Sequence, residues 1–203
     1  AIAEDCGLCS AVRKFPSQLD HFTPSPSPEH PGSHMNADVL NRASQQILVN
    51  TDRFSNFTTA IMVDSEQRED LAKGLLQVIT PIRHNNKVSV RTDRAAAWRS
   101  LSETPDRQLV SNGIELDLKD HANPNSNAAV DKLMQELEGE LVKLAPDGGK
   151  IDAGILAQAT TNLNNKVRQH GLSASQVHFA RDQHTGKNLP ISDSRIRKVR
   201  EDR

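Results

Sequence analysis

The sequence predicts an α/β domain with one mixed five-stranded sheet and helices on both faces. Three short apolar, β-branched runs follow one another between residues 35 and 63, with no helical period between them. From residue 64 onward, segments with apolar residues every three to four positions alternate with two more such runs. The last part of the chain then holds two long amphipathic segments in succession.

Each element has a local reason. MNADVL puts Met35, Ala37 and Val39 on one side of a strand and Asp38 on the other. QQILVN is a second strand, and the polar RAS between the two suits a hairpin turn. FTTAIMV, residues 57–63, completes an antiparallel meander. A helix follows, capped by Asp64 or Ser65, with Gln67 placed as in a capping box. Leu71, Leu75, Val78 and Ile82 form its inner face, and Pro81 marks its end. KVSVRT, residues 87–92, is a fourth strand, parallel to the first because a helix crosses over before it. Asp93 follows at its C-terminal end, the edge where open α/β sheets place their sites. DRAAAWRSL reads as a short helix, and NGIELDL, residues 112–118, as a fifth strand opened by a turn at Asn112-Gly113.

The strongest amphipathic helix spans 127–144, with Val130, Leu133, Met134, Leu137, Leu141 and Leu144 along one stripe. Gly148-Gly149 separates it from a second long helix over 152–169, whose face is Ile155, Leu156, Ala159, Leu163 and Val167. Gly171 is placed to end that helix as a left-handed cap. A short helix in GLSASQVHFARDQ closes the series.

Composition sets limits. The 203 residues are 35% hydrophobic and 3% aromatic, with a single Trp98 and no tyrosine. One domain is expected, its ordered core being about 130 residues, with less packed ends. A net charge of −1 argues against binding nucleic acid through bulk charge, although the C-terminal string gathers Arg195, Arg197, Lys198, Arg200 and Arg203. No apolar run approaches the roughly 20 residues that span a bilayer, so no membrane partner is expected. AIAEDCGLCS lacks the basic start and apolar stretch of a signal peptide, and the missing initiator methionine suggests a chain cut from something longer. Residues 14–34 read as a Pro/Ser-rich linker.

Candidate chemistry is sparse. Cys6 and Cys9 form one C-x-x-C without a thioredoxin-like context, which reads as half of a zinc site. His30 and His34 show an H-x3-H spacing, but Pro24, Pro26, Pro28 and Pro31 prevent the helix that would turn both toward one metal. The histidines show no spacing that converges on a serine or cysteine nucleophile. Neither a Walker-type loop nor a G-x-G-x-x-G is present, so a nucleotide cofactor has no support. Three acids stand out: Asp38 in the first strand, Asp93 at the end of the fourth, and Asp131 in the first turn of the 127–144 helix. That layout can hold two divalent metals for phosphoryl transfer on nucleic acids. Asp131 sits roughly 100° from the centre of the helix stripe, beside Gln135 and Glu138. The position suits an active-site acid and equally a first-turn aspartate favoured by the helix dipole. Arg91, Arg94 and Lys132 are candidate phosphate contacts near these acids.

SHMNADVLNRASQQILVNTDRFSNFTTA, KVSVRTDRAAAW, NPNSNAAVDKLMQELEGEL and VRQHGLSASQVHFARDQHTG, in this order, resemble the integrase core of long-terminal-repeat retrotransposon Pol polyproteins. The resemblance runs from about Cys6 to the C-terminal arginines. It implies a ribonuclease-H-like fold, with 1–13 as the remnant of an N-terminal zinc-binding module and 35–182 as the catalytic core. Residues 183–203 are then a basic C-terminal tail. It also implies that Asp38, Asp93 and Asp131 are the catalytic acids and hold Mg²⁺ or Mn²⁺, and that Asn127 and Gln135 flank the metals and contact DNA. Cys6 and Cys9 become two of four zinc ligands whose histidines would precede Ala1, so Zn²⁺ binds only in a longer chain. The implied activity is 3′-end processing and joining of element DNA into target DNA by a homo-oligomer, in the nucleus or a retrotransposon particle. Many integrases have glutamate where this chain has Asp131, one methylene shorter. A misplacement of ~1 Å costs on the order of 10²-fold in rate. Glu136 points to the far side of the helix and Glu138 lies about two turns along, so neither substitutes. The alternatives are a co-opted core that binds nucleic acid or protein without catalysis, and a nuclease of the same fold.

Overall fold

The computed structural model describes residues 28, 30–84, 86–118, 128–190 and 193–201. The readings on Cys6, Cys9, residues 1–13, most of the linker and Asn127 lie outside these. The strands are β1 His34–Arg42, β2 Gln45–Asp52, β3 Thr58–Val63, β4 Val88–Thr92 and β5 Ile114–Leu118. They form one sheet in the order β3-β2-β1-β4-β5. The β1–β2 and β2–β3 pairs are antiparallel, and the β1–β4 and β4–β5 pairs are parallel. The helices are α1 Arg68–Ile79, α2 Ala96–Glu103, α3 Arg107–Ser111, α4 Ala128–Leu144, α5 Ala153–Asn165, α6 Ala174–Phe179 and α7 Ser194–Glu201. The predicted mixed five-stranded sheet and ribonuclease-H-like order are both present.

Strand alternation sorts the apolar side chains into two layers. On one face Met35, Ala37, Leu48, Val88, Val90 and Ile114 pack with Leu71, Leu75 and Ile79 of α1 and with Trp98 and Leu101 of α2. On the other, Ile47 and Val49 pack with Leu137 and Leu141 of α4 and with Leu156, Ala159 and Leu163 of α5. A smaller cluster of Phe54, Leu172, Val177 and Ile196 seats α6 and α7 against the β2–β3 connection. Two side-chain amides lock the α5 layer to the sheet. Gln45 exchanges both amide bonds with the backbone of Ile151, each 2.8 Å. Buried Asn164 does the same with Thr58, at 2.8 and 2.7 Å.

Local chemistry departs from the sequence reading in several places. The α1 N-cap is Gln67, and no side chain caps it. Ser65 instead donates to Asp70 and accepts from Gln67 N–H, so the expected Asp64–Gln67 box does not form. Helix α3 is an addition, nucleated by Asp106, whose carboxylate accepts from Gln108 and Leu109 N–H. The second long helix ends at Asn165, four residues short of the expected 169, because Lys166 takes an extended conformation and Val167 bridges Ser173 instead. Gly171 is left-handed, with φ 70°, but it closes a 3-10 turn at Gln169–Gly171 rather than α5. Part of the segment read as a basic tail is α7, anchored by buried Ile196. Among the described residues, no helix is long and apolar enough to cross a membrane.

Candidate active site

Asp38 lies within β1, where it pairs with Val49 of β2. Its neighbours Ala37 and Val39 belong to the α1 layer, so alternation sends Asp38 toward the opposite face, the one α4 covers. Asp93 immediately follows β4. The parallel β1–β4 register pairs Asn36 with Arg91, and two residues further along each strand stand Asp38 and Asp93. Val88 and Val90 occupy the α1 layer, so Asp93 takes the same face as Asp38. β1 and β4 are neighbours at the centre of the sheet, so both acids follow the last β1–β4 pair on adjacent chain segments. Each is oriented by local backbone: Asp38 Oδ1 accepts from Val39 N–H at 2.8 Å, and Asp93 Oδ1 accepts from Ala95 N–H at 3.0 Å.

Asp131 is exposed in the first turn of α4, which packs on β1 on this same face. Gln135 and Lys132 are exposed on the same helix. Among the described residues, no three His, Cys, Asp or Glu side chains come together as a metal-binding group. Asp38 and Asp93 thus lie just past one strand pairing, and Asp131 lies on the helix that covers the same face. Carboxylate oxygens are the donors that hard Mg²⁺ and Mn²⁺ take, so Asp38 and Asp93 fit such an ion by donor type, with Asp131 as the candidate third ligand.

Arg91 points to the α4 face and is committed to Asp117 of β5, with Nε and Nη2 at 2.9 and 2.7 Å from one carboxylate oxygen. Arg94 is exposed beside Asp93. Lys132, read from sequence as a phosphate contact near the acids, gathers instead on the far side of α4 with cations that the sequence did not single out. Lys132, Lys166, Arg168 and His170 line a cleft of about 480 Å³ together with Glu136. Glu136 receives Arg168 through Nη1 at 3.2 Å and Nη2 at 2.9 Å, and Lys166 Nζ at 3.7 Å. Partial burial pushes its carboxyl up, but Arg168, Lys166 and Lys132 outweigh this and hold it below the usual range. Glu136 is therefore engaged here, away from the acids, as its helical phase indicates. K-V-R-Q-H after an amphipathic face was the available signal.

A buried polar network brings a histidine to a serine across the fold, a contact that sequence spacing does not show. Ser55 Oγ lies 2.6 Å from Asp52 Oδ2 and 3.1 Å from Nδ1 of His178, far along the chain. Asp52 also accepts from the backbone N–H groups of Gly32 and Ser55, at 2.8 and 2.7 Å, while His178 Nε2 contacts the Ile82 carbonyl at 3.1 Å. Burial raises the Asp52 carboxyl, yet the bonds from His178, Ser55 and Gly32 prevail and hold it below the usual range. All three side chains are buried, and the serine stands between acid and imidazole rather than at the end of the chain. This is a structural hub, not a nucleophile with its base.

No protein-family model matches the chain. No curated protein sequence matches it. Solved structures do. The catalytic core domain of BIV integrase superposes with a TM-score of 0.59 at 18% identity, over 73% of this chain and 94% of that one. The HTLV-2 integrase catalytic core domain in complex with magnesium gives 0.59 at 18% identity, over 74% and 98%. A chain of the simian T-cell lymphotropic virus intasome, in complex with PP2A regulatory subunit B56 gamma, gives 0.64 at 19% identity, over 93% and 68%. The fold is that of an integrase catalytic core.

Proposed function

We propose that this chain is the core of an integrase-type DNA strand transferase of retrotransposon origin, acting as a homo-oligomer on element ends and target DNA. The observation that supports the reading is an integrase-like sheet in which Asp38 and Asp93 each follow two positions after the paired Asn36 and Arg91. Asp38, Asp93 and Asp131 would hold Mg²⁺ or Mn²⁺ through their oxygens. Such ions supply activation of the attacking water or 3′-hydroxyl and stabilisation of the leaving oxygen. The chain's own part is positional: β1 and β4 set two carboxylates by backbone pairing, and α4 carries the third over the same face. Exposed Gln135 and Arg94 lie near that face and suit DNA phosphates, as does Asn127 by resemblance, while Lys132 lies toward the Glu136 cleft. By the same resemblance its setting is the nucleus or a retrotransposon particle, and Cys6 and Cys9 serve zinc only in a longer chain.

The test is Mn²⁺-dependent nicking and joining of duplex oligonucleotides. Asp38→Asn and Asp93→Asn are each expected to abolish both reactions; unchanged activity in both variants sinks the catalytic reading. A second reading, a non-catalytic binding core, is favoured by Asp131, which is one methylene shorter than the glutamate of many integrases. Calorimetry separates the two: the catalytic reading requires Mn²⁺ binding that Asp38→Asn removes, whereas the binding core requires DNA binding without it.

A further inference from the structure

We propose that the cleft between α4, the α5–α6 connection and α7 is a second nucleic-acid backbone subsite, separate from the acid edge. The proposal rests on the reading above that the chain binds DNA. Lys132, Lys166 and Arg168 face a single carboxylate, Glu136, the one acid among the cleft's described lining residues. Three fixed cations against one anion leave the cleft positive although the whole chain carries −1. His170 lines the same wall, and α7 closes it through Val199 while carrying exposed Arg197 and Lys198. Glu136 holds Arg168 through one hydrogen bond from Nη1 and an ion pair at Nη2, which presets that guanidinium. Lys132 and Lys166 are exposed, Lys166 at 3.7 Å from Glu136, and both can turn to a phosphate.

The cleft is connected to the acids along one helix. From Asp131 to Glu136 is five residues, about 500° of rotation, so the two lie roughly 140° apart around α4. Gln135 and then Lys132 fall between them on the exposed arc. A helix is about 10–12 Å across with its side chains. At 3.4 Å per nucleotide that width matches about three nucleotides of backbone. A strand engaged at Asp131 would thus meet Lys132 and the cleft about three nucleotides away.

The experiment is the salt dependence of binding to a fluorescent DNA duplex, by anisotropy in EDTA so that the acid edge contributes no metal. Each phosphate contact removed lowers the slope of log K against log salt by ~0.9. The double variant Lys132→Ala/Lys166→Ala is expected to lose a slope of roughly 2, and Lys132→Arg/Lys166→Arg to retain it. Both lysines are exposed, so the fold is kept. Lys143→Ala, on the same helix but outside the cleft and paired with Glu140, is the control and leaves the slope unchanged. A double variant that behaves like Lys143→Ala overturns the subsite alone. A wild-type chain that shows no salt-dependent DNA binding overturns the underlying functional reading as well.

Discussion

Asn36 of β1 pairs with Arg91 of β4 in the parallel register, and Asp38 and Asp93 each follow two positions on. The backbone register thus fixes where along the two strands these acids follow the pairing. Asp131 differs: it reaches the same face from the first turn of a helix, exposed and one methylene shorter than glutamate.

That difference predicts a gain of activity. Asp131→Glu is expected to raise the Mn²⁺-dependent cleavage rate, by up to ~10²-fold if the shorter side chain misplaces an oxygen by ~1 Å. Asp131→Asn is expected to lower it. Single-turnover cleavage of a labelled duplex reads both, and a rate unchanged in Asp131→Glu would show that reach is not what limits the site.

The Asp52 hub predicts a large stability loss without loss of chemistry. Asp52→Ala leaves Ser55 Oγ, two backbone N–H groups and His178 without their buried acceptor, at a cost of about 3–5 kcal/mol. Ser55→Ala removes the bridging hydroxyl and costs about 1–3 kcal/mol. Urea denaturation measures both, and the ordering Asp52→Ala above Ser55→Ala is the critical result.

The same end of the sheet makes the fold sensitive to acid. Burial lowers the His34 imidazole, with Arg53 adding to it, and burial lowers His84, with His178 adding to it. The unfolded chain therefore takes up protons that the fold resists as pH drops through the ordinary value of 6.5, and stability falls in that window. Asp52, held below its ordinary 3.8, adds a second loss only as pH drops from there toward its lower folded value. Urea midpoints taken from pH 8 to 5 should decline on the acid side, and His84→Gln should flatten the decline.

The β1–β2 hairpin turns on Ala43 and Ser44, with φ of 47° and 63°. A two-residue turn with both φ values positive favours Asn-Gly, and each L residue forced there costs roughly 1–2 kcal/mol. Ala43→Asn/Ser44→Gly is expected to stabilise the fold by about 1 kcal/mol or more. A midpoint that fails to rise would show that the turn is not strained.

Much of the fold was legible in local pattern. Alternation of Met35, Ala37 and Val39 against Asp38 named both the strand and its outward acid. The intervals of Leu71, Leu75 and Val78 marked α1, and the stripe from Val130 to Leu144 marked α4, because each periodicity is a property of one element's own geometry. Where a boundary was set by distant partners, pattern failed. Val167 continued the apolar period of α5, yet its backbone bridges Ser173 and the helix stops before it. Arg91 read as a phosphate contact on sequence, whereas the neighbouring strand brings Asp117 to it.

The sequence by itself determined the order of the five strands and the main helices, the faces they bury and the elements that carry the three acids, since these follow from periodicities of two and 3.6 residues within single segments. Only the tertiary structure decided that β1 and β4 are neighbours, which cations share the Glu136 cleft, and that Asp52, Ser55 and His178 form one buried network. Those relations join residues from different elements, and their spacing along the chain carries no trace of the register and packing that bring them together.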